Sequence, residues 1–478
     1  MKNRFGKWTI LLAFWTVVGI AGPVFAAEMN QTAVVITASA GWTSGAHSII
    51  QRDGGQWALR NLDGETNLLP TISDLAVSAH RQFFYRIERF QSDNVTKFDV
   101  SAPNEPIWNV SAISGGELGL QSNSSNPSTL VFASNEKAYL IRYGAKTAWI
   151  VDPSVSFENR AEFKIGELDL SAYSVEGGTR PYDDTDGYSE MANGVIVDGK
   201  LFIVMQRLVN WCPAEPVRSY VAVFDVATDA EIQTGMGEGG LKGIALPFPV
   251  YNAGFPAYAS IHYLEENHTL YVSGPASFGF CTSGLGGNGG VVAIDPDTYE
   301  TEVVLDASGN DWPHGSIFST AIVSSAKGYF LGVPDAYDVS GSGNALKTFN
   351  PTTGEVTGDA NSALNGKDLA HLALDRDGHL WICNSSDSKV QILDTADDAI
   401  EQEIAMDLLP KIIDFVYTFD FDPGDVNQTD GITGQDAADA YDLTFHSQWT
   451  PEELWAADFN GDGEITAQDA VDIFWASF

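Results

Sequence analysis

One phrase recurs six times between residues 83 and 394: an apolar strand, a variable loop, then a second apolar strand that ends in Asp or Asn and a turn. The first halves are FFYRI from Phe83, YLIRY from Tyr139, LFIVM from Leu201, LYVSG from Leu270, YFLGV from Tyr329 and LWICN from Leu380, with starts 56, 62, 69, 59 and 51 residues apart. The second halves close on Asp99, Asp152, Asp225, Asp295, Asn350 and Asp394. Such a side chain bonds to the backbone two residues on, and the prolines at 153, 296 and 351 cannot continue a central strand. Each phrase therefore predicts the two middle strands of a four-stranded sheet and the hairpin that leaves the third strand for the fourth. Asp375-Arg376-Asp377-Gly378 predicts a hairpin between the first two strands of its own unit.

A sheet of this size cannot bury both faces alone. Closure of several such sheets into a ring solves that problem and leaves only short edges. Six units are explicit. The strands near residues 32–39, the segment from His47 to Arg60 and the late run KIIDFVYTFDF have no other partner. Together they predict a seventh blade, closed by strands from both ends of the domain. The expected fold is mainly β: a seven-bladed β-propeller over residues 27–420, six or eight blades being the alternatives, followed by a small α-helical calcium-binding domain over 421–478. The pattern resembles the secreted bacterial propellers of the YVTN and quinoprotein-dehydrogenase-like group. That group includes binding proteins, lyases and quinone-dependent oxidases, so the resemblance implies a fold and not an activity.

The first 26 residues read as a secretory signal. Lys2, Arg4 and Lys7 precede an apolar run from Trp8 to Ile20, and Val24 and Ala26 occupy the −3 and −1 positions of a cleavage site. The expected location is secreted or on the extracellular cell surface, the periplasm being the alternative, with no transmembrane span after signal removal. Sixty-four acids against 25 bases, a net charge of −39, exclude a cationic nucleic-acid groove.

The pattern changes in the last 58 residues, which hold 13 acids and no lysine or arginine. DFNGDGEITAQD places Asp458, Asn460 and Asp462 at positions 1, 3 and 5 of a 12-residue loop, Gly463 at 6, Glu464 at 7 through its carbonyl, Thr466 at 9 and Asp469 at 12. A hard Ca²⁺ ion needs six to eight oxygens in that arrangement. Thirty-three residues earlier, DVNQTDGITGQD places Asp425, Asn427, Thr429, Gly431, Thr433 and Asp436 at positions 1, 3, 5, 7, 9 and 12. Its Asp430-Gly431 pair has slipped by one place, so either Thr429 or a bulged Asp430 supplies the fifth position. The first site is expected to be looser. Ile432 and Ile465, each at position 8, should pack together. A helical stretch follows each loop, and Thr450-Pro451-Glu452-Glu453 starts another with a capping box.

This tandem resembles the type I dockerin family, whose repeated half-EF-hands carry Asp at position 12. The resemblance implies two Ca²⁺ sites and docking onto a cohesin domain through helix residues just after the loops, usually Ser-Thr at positions 10 and 11. Here Gly434-Gln435 and Ala467-Gln468 stand there, which puts recognition of a standard cohesin in doubt. The expected partner is a cohesin-like extracellular protein or another copy of the chain; an intramolecular calcium clip is the competing reading.

Elsewhere the chemistry is sparse. Cys212 and Cys281 fall in the same loop of consecutive units and could form a disulfide, while Cys383 lies inside a strand. His314 and His371 precede inner strands of neighbouring units and could face the channel mouth, where a pair could ligate a metal or act as acid and base. Asp183, Asp184 and Asp186 read as a solvated inter-blade loop, with calcium binding or sugar chemistry as alternatives. No catalytic or cofactor fingerprint appears. The aromatic rim loops 173–191, 205–219 and 273–290 suit a protein or glycan. The leading expectation is a non-catalytic binding or structural module. The alternative is a propeller enzyme, a polysaccharide lyase, glycosidase or quinone-dependent dehydrogenase, localised by the C-terminal domain.

Overall fold

Apolar strands bounded by Asx turns build seven sheets around a common axis in a computed structural model. It describes residues 29–60, 67–113, 124–175, 177–179, 183–209, 212–213, 216–248, 250, 261–275, 289–307, 313–334, 343–419, 421–428, 431–446 and 448–477. The expected signal segment, residues 1–26, lies outside the described residues.

Six sheets use consecutive strands: β5–β8 (75–111), β9–β12 (127–169), β13–β16 (191–245), β17–β20 (261–306), β21–β24 (316–359) and β25–β28 (369–405). The seventh joins the two ends of the domain. Its innermost strand is β29 (Leu409–Thr418), antiparallel to β1 (Asn30–Ala38), followed outward by β2 (Gly45–Asp53), to which β3 (Gln56–Leu59) and β4 (Leu68–Thr71) pair. Innermost strands touch in unbroken succession, β5 to β9, β13, β17, β21, β25, β29 and back to β5. The expected seven blades and two-ended closure are both present.

The recurring phrases occupy the second and third strands of their sheets, as their composition requires. Those strands are covered on both faces: every residue of β10 (Ala138–Arg142) is buried. The outermost strands β12 (Lys164–Asp169) and β28 (Ile400–Ala405) alternate between covered and exposed, the pattern of an edge with one face on its neighbour. Cores form between blades. Val204 and Val223 of one sheet pack with Leu270 and Val292 of the next, and Trp381 stands fully buried between Trp57 and Phe415. Truncating a buried tryptophan of that kind costs about 3–5 kcal/mol.

The Asx turns form as their chemistry dictates. Asp99 and Asp152 Oδ1 each accept the backbone N–H two residues on at 2.8 Å, Asp295 does so at 2.8 Å and Asn350 at 2.9 Å, and Asp394 at 2.7 Å; Asp225 accepts from Thr228, three residues on. Since strands alternate in direction, all first–second and third–fourth hairpins share one rim, the turn rim. Second–third loops and inter-blade connections share the other, the loop rim. Thr418 pairs with Asn30 at the turn-rim end of the closing blade, so the chain leaves the propeller there.

It continues into α1 (Gly434–Leu443), α2 (Pro451–Ala457) and α3 (Ala467–Ala476). These enclose a small core of Ala437, Ala440, Ala457, Ile465, Ala470 and Ile473, with Ile432 packed against it. Ile432 and Ile465 thus share one cluster, as expected. Thr433, Thr450 and Thr466 cap the three helices, each in a complete capping box.

Candidate metal module and its seat on the propeller

The two loops before α1 and α3 repeat the same bonds 33 residues apart. Asn427 N donates to Asp436 Oδ1 at 2.9 Å, and Thr433 N and Oγ1 donate to Asp436 Oδ2 at 2.8 and 2.7 Å. In the second loop Asn460 N donates to Asp469 Oδ1 at 3.1 Å, and Thr466 N and Oγ1 donate to Asp469 Oδ2 at 2.9 Å each. Position 12 therefore ties both ends of each loop together, and Asp436 and Asp469 are both fully buried. Asp458 organises the second loop: Oδ1 accepts from Gly461 N at 2.7 Å and Asp462 N at 3.0 Å, and Oδ2 accepts from Gly463 N at 2.9 Å. Gly463 has φ of +90° and Gly431 of +81°, the left-handed turn each loop needs. Thr429 and Asp430 lie outside the described residues.

The donor set suits a hard cation. Carboxylate, amide, hydroxyl and carbonyl oxygens stand at the required positions of the second loop, with no nitrogen or sulfur ligand in the set. Burial pushes the Asp458 carboxyl up to about 6, with Asp462 and Asp469 adding like charge and Arg81 opposing. That crowding of acids around one buried carboxylate is what a divalent ion relieves.

The second loop is seated on the turn rim. Arg81, in the β5–β6 hairpin, donates from Nη1 to Asp458 O at 2.7 Å and from Nη2 to Trp455 O at 2.6 Å, its guanidinium lying 4.9 Å from the Trp455 ring centroid. Asn135, in the β9–β10 hairpin, donates from its backbone N to Asn460 O at 2.8 Å and from Nδ2 to Phe459 O at 3.0 Å. His80 hydrogen-bonds Asn135 Oδ1 at 2.9 Å. Gly461 makes this approach feasible, because a Cβ there would collide with the Asn135 side chain. The first loop carries Gln428 at the equivalent place.

The helices face outward with large apolar groups. Ala438 and Val471, and Tyr441 and Phe474, are repeat-equivalent and exposed, and Phe445 and Trp475 extend the two faces at 73% and 69% exposure. Gln435 donates to Asp439, and Gln468 to Asp472, at 2.8 Å in both repeats. The faces are not equivalent in setting, however: Gln468, Asp472 and Trp475 border a cleft shared with Phe83, Lys97 and Ser154 of the propeller.

His314 and His371, anticipated together at the channel mouth, have different described neighbours. His314 is influenced by Lys347 and Asp359. His371 instead accepts from Ile413 N at 3.3 Å and feels His262 on the inner strand β17 (Ile261–Leu264). Loss of solvent pushes both His262 and His371 down to about 4, so both are neutral. Cys383 is a buried free thiol, and Cys281 lies outside the described residues.

The acidic stretch 183–186 is a correction to the sequence reading. It is not a solvated loop: Asp183 is 7% exposed and Asp184 is fully buried. Asp184, Asp186 and Glu190 place oxygens within 4.8 Å of one another on the loop rim. Burial first, then Asp186, pushes Asp184 up to about 8 against the pull of Arg207. Burial, then Asp184 and Asp186, pushes Glu190 well above its ordinary range. Glu190 and Arg207 were not singled out in the sequence.

No protein-family model and no curated protein matches the chain. Among solved structures it is similar to a protein from Lactobacillus plantarum (12% identity, 81% of this chain and 99% of that one, TM-score 0.49). It is also similar to apo AztD from Citrobacter koseri (12%, 82% and 99%, 0.42) and to the dihydro-heme d1 dehydrogenase NirN in complex with DHE (11%, 82% and 77%, 0.44). The chain's own sheets define its class: a seven-bladed β-propeller bearing a C-terminal helical module.

Proposed function

We propose that this chain is an exported, calcium-binding propeller that serves as a binding or structural module in an extracellular assembly, held there through its dockerin-like C-terminal module. The observation that carries this reading is the pair of repeat-equivalent apolar faces on α1 and α3, which stay exposed although the second loop is pinned to the propeller. A clip alone would need only the pinned loop. Exposed Tyr441, Phe445, Val471, Phe474 and Trp475 suit a protein partner, since aromatic anchors dominate interface energetics. The partner is a cohesin-like domain, and calcium orders the helices that meet it. Residues 1–26 act as the export signal, and Cys212 pairs with Cys281 in the oxidising compartment.

The test is a pull-down from the native extracellular fraction with the full mature chain, in calcium and in chelator. A Tyr441→Lys/Phe474→Lys variant serves as control, and sedimentation separates partner binding from self-association. A partner captured only in calcium and lost in the variant supports the reading. Identical capture in all three conditions removes it.

A further inference from the structure

Lysines at the turn-rim end of second strands lock neighbouring sheets together. Lys137 donates to Val226 O, just after the turn residue Asp225 of the next sheet, and to Asp229, which also accepts from Tyr139 Oη at 2.7 Å. Lys327 and Tyr329 repeat that lock with Thr395 O and Asp398. In both seams the aspartate stands four residues after the turn residue, Asp225 or Asp394. The seam between β13–β16 and β17–β20 departs from this pattern. Lys200, the first residue of β14 (Lys200–Met205), still reaches across, to Pro296 O and Asp297 Oδ1 at 3.0 Å each. But Phe202 stands in place of the tyrosine, and Tyr299 occupies the fourth position after Asp295. The acceptor has moved to Asp297, whose side chain is 63% exposed. Its second oxygen, Oδ2, lies 3.2 Å from His268 Nε2, and Asp198 Oδ2 lies 3.6 Å from the same nitrogen. Asp198 comes from the hairpin between β13 (Met191–Val197) and β14, His268 from the hairpin between β17 and β18 (Thr269–Pro275), and Asp297 from that between β19 (Gly289–Ile294) and β20 (Thr301–Asp306).

A tetrahedral zinc ion with bonds of about 2.0–2.1 Å holds its ligand atoms about 3.3 Å apart. The distances of 3.2 and 3.6 Å from Nε2 bracket that spacing, and the three ligand atoms all lie within 4.8 Å of one another. One imidazole nitrogen with two carboxylate oxygens is a donor set for zinc, whereas calcium takes oxygen alone. The remaining atoms of two ligands are held from behind. His268 Nδ1 is 2.8 Å from Tyr263 Oη, with the two rings edge to face, and Lys200 holds Asp297 Oδ1. Such outer contacts orient a ligand and leave its coordinating atom for the ion. From this geometry we infer that Asp198, His268 and Asp297 form a zinc site that bridges two blades on the turn rim. Zinc takes the place of a proton on Nε2, and Nδ1–H donates to Tyr263. Asp198 is 60% and His268 39% exposed, so the fourth position is open to water and the site fills without opening a sheet.

The experiment is zinc titration of the full mature chain in about millimolar calcium, which supplies the C-terminal loops with their own ion, read by native mass spectrometry and calorimetry. One equivalent of zinc is expected. His268→Ala and, separately, Asp198→Asn/Asp297→Asn are expected to weaken its binding by about tenfold or more. His446→Ala, which removes an exposed histidine of the C-terminal module, is expected to leave it unchanged. Cobalt(II) titrated in place of zinc should give the intense visible absorption of a four-coordinate ion, lost in His268→Ala. No zinc bound by the parent chain, or an affinity in His268→Ala equal to the parent's, overturns the assignment. The first of these readings does not depend on how the variants fold.

Discussion

Arg81 reaches from the propeller to Asp458, donating from Nη1 to the main-chain carbonyl at the first position of the second loop at 2.7 Å. The bond uses the backbone, so the Asp458 carboxylate stays directed into its loop, where it accepts three N–H groups. One residue thus belongs to the seat through its carbonyl and to the second acidic loop through its side chain. Ordering of the loop and seating of the module are coupled at this residue.

Replacing Arg81 should loosen the module and spare the sheets. Arg81→Ala removes two charge-assisted bonds and the contact with Trp455, a loss of about 2–4 kcal/mol in attachment. Arg81→Lys keeps the charge without the fork and should fall between the two. Gly461→Ala should mimic Arg81→Ala through the clash with Asn135. Limited proteolysis near residue 422 checks this: faster cleavage with an unchanged melting temperature of the propeller is the expected result.

Acid should destabilise the closing blade through His47. This fully buried ring donates from Nε2 to Pro103 O at 2.8 Å, which leaves Nδ1 to accept from Arg86 at 3.3 Å. Burial, with Arg86 adding to it, pushes His47 down to about 3. The unfolded chain takes up the proton near pH 6.5 and the folded one does not, so stability present above 6.5 is lost as pH falls towards 3. The loss is roughly 2 kcal/mol by pH 5. His47→Gln should be less stable at neutral pH but lack this slope, measured by denaturant titration at pH 7, 6 and 5.

Asp414 should show the opposite slope. It lies on the inner strand β29, accepts from Ala79 N at 2.7 Å, and is pushed up to about 6 by burial. Here the folded chain holds the proton more tightly. Stability is greatest below pH 4 and declines as pH rises to 6, by about 3 kcal/mol. Asp414→Asn keeps an acceptor for Ala79 and removes the decline, so its advantage over the parent should grow between pH 4 and 6 and then level off.

Legibility from the sequence followed locality. The second and third strands were readable because each carries a continuous apolar run and a turn residue whose bond spans two or three positions. The outer strands, such as KIGELD and IEQEIA, were not, since half their residues face water and their pairing is set by the sheet. The two acidic loops and their closing bonds to Asp436 and Asp469 were readable because their residues lie within 12 positions. The seat was not: Arg81 and Asp458 are 377 positions apart, and neither a basic residue in a hairpin nor a glycine in a loop announces a docking contact. The buried carboxylates failed for the same reason. Asp-Asp-Thr-Asp-Gly has the composition of an exposed turn, and the tertiary fold buries its first two acids. The signal available was Glu190, an acid at the very start of an apolar strand.

The central claim is that calcium orders residues 421–478 and thereby creates the docking faces. Segment-resolved hydrogen exchange on the full mature chain, with calcium and after chelation, tests it most directly. The account predicts that protection in α1, α2 and α3 collapses on chelation while the strand cores of the seven blades keep theirs, and that Asp458→Ala reproduces the loss around α3 even in calcium. Equal protection of this segment with and without calcium would contradict it.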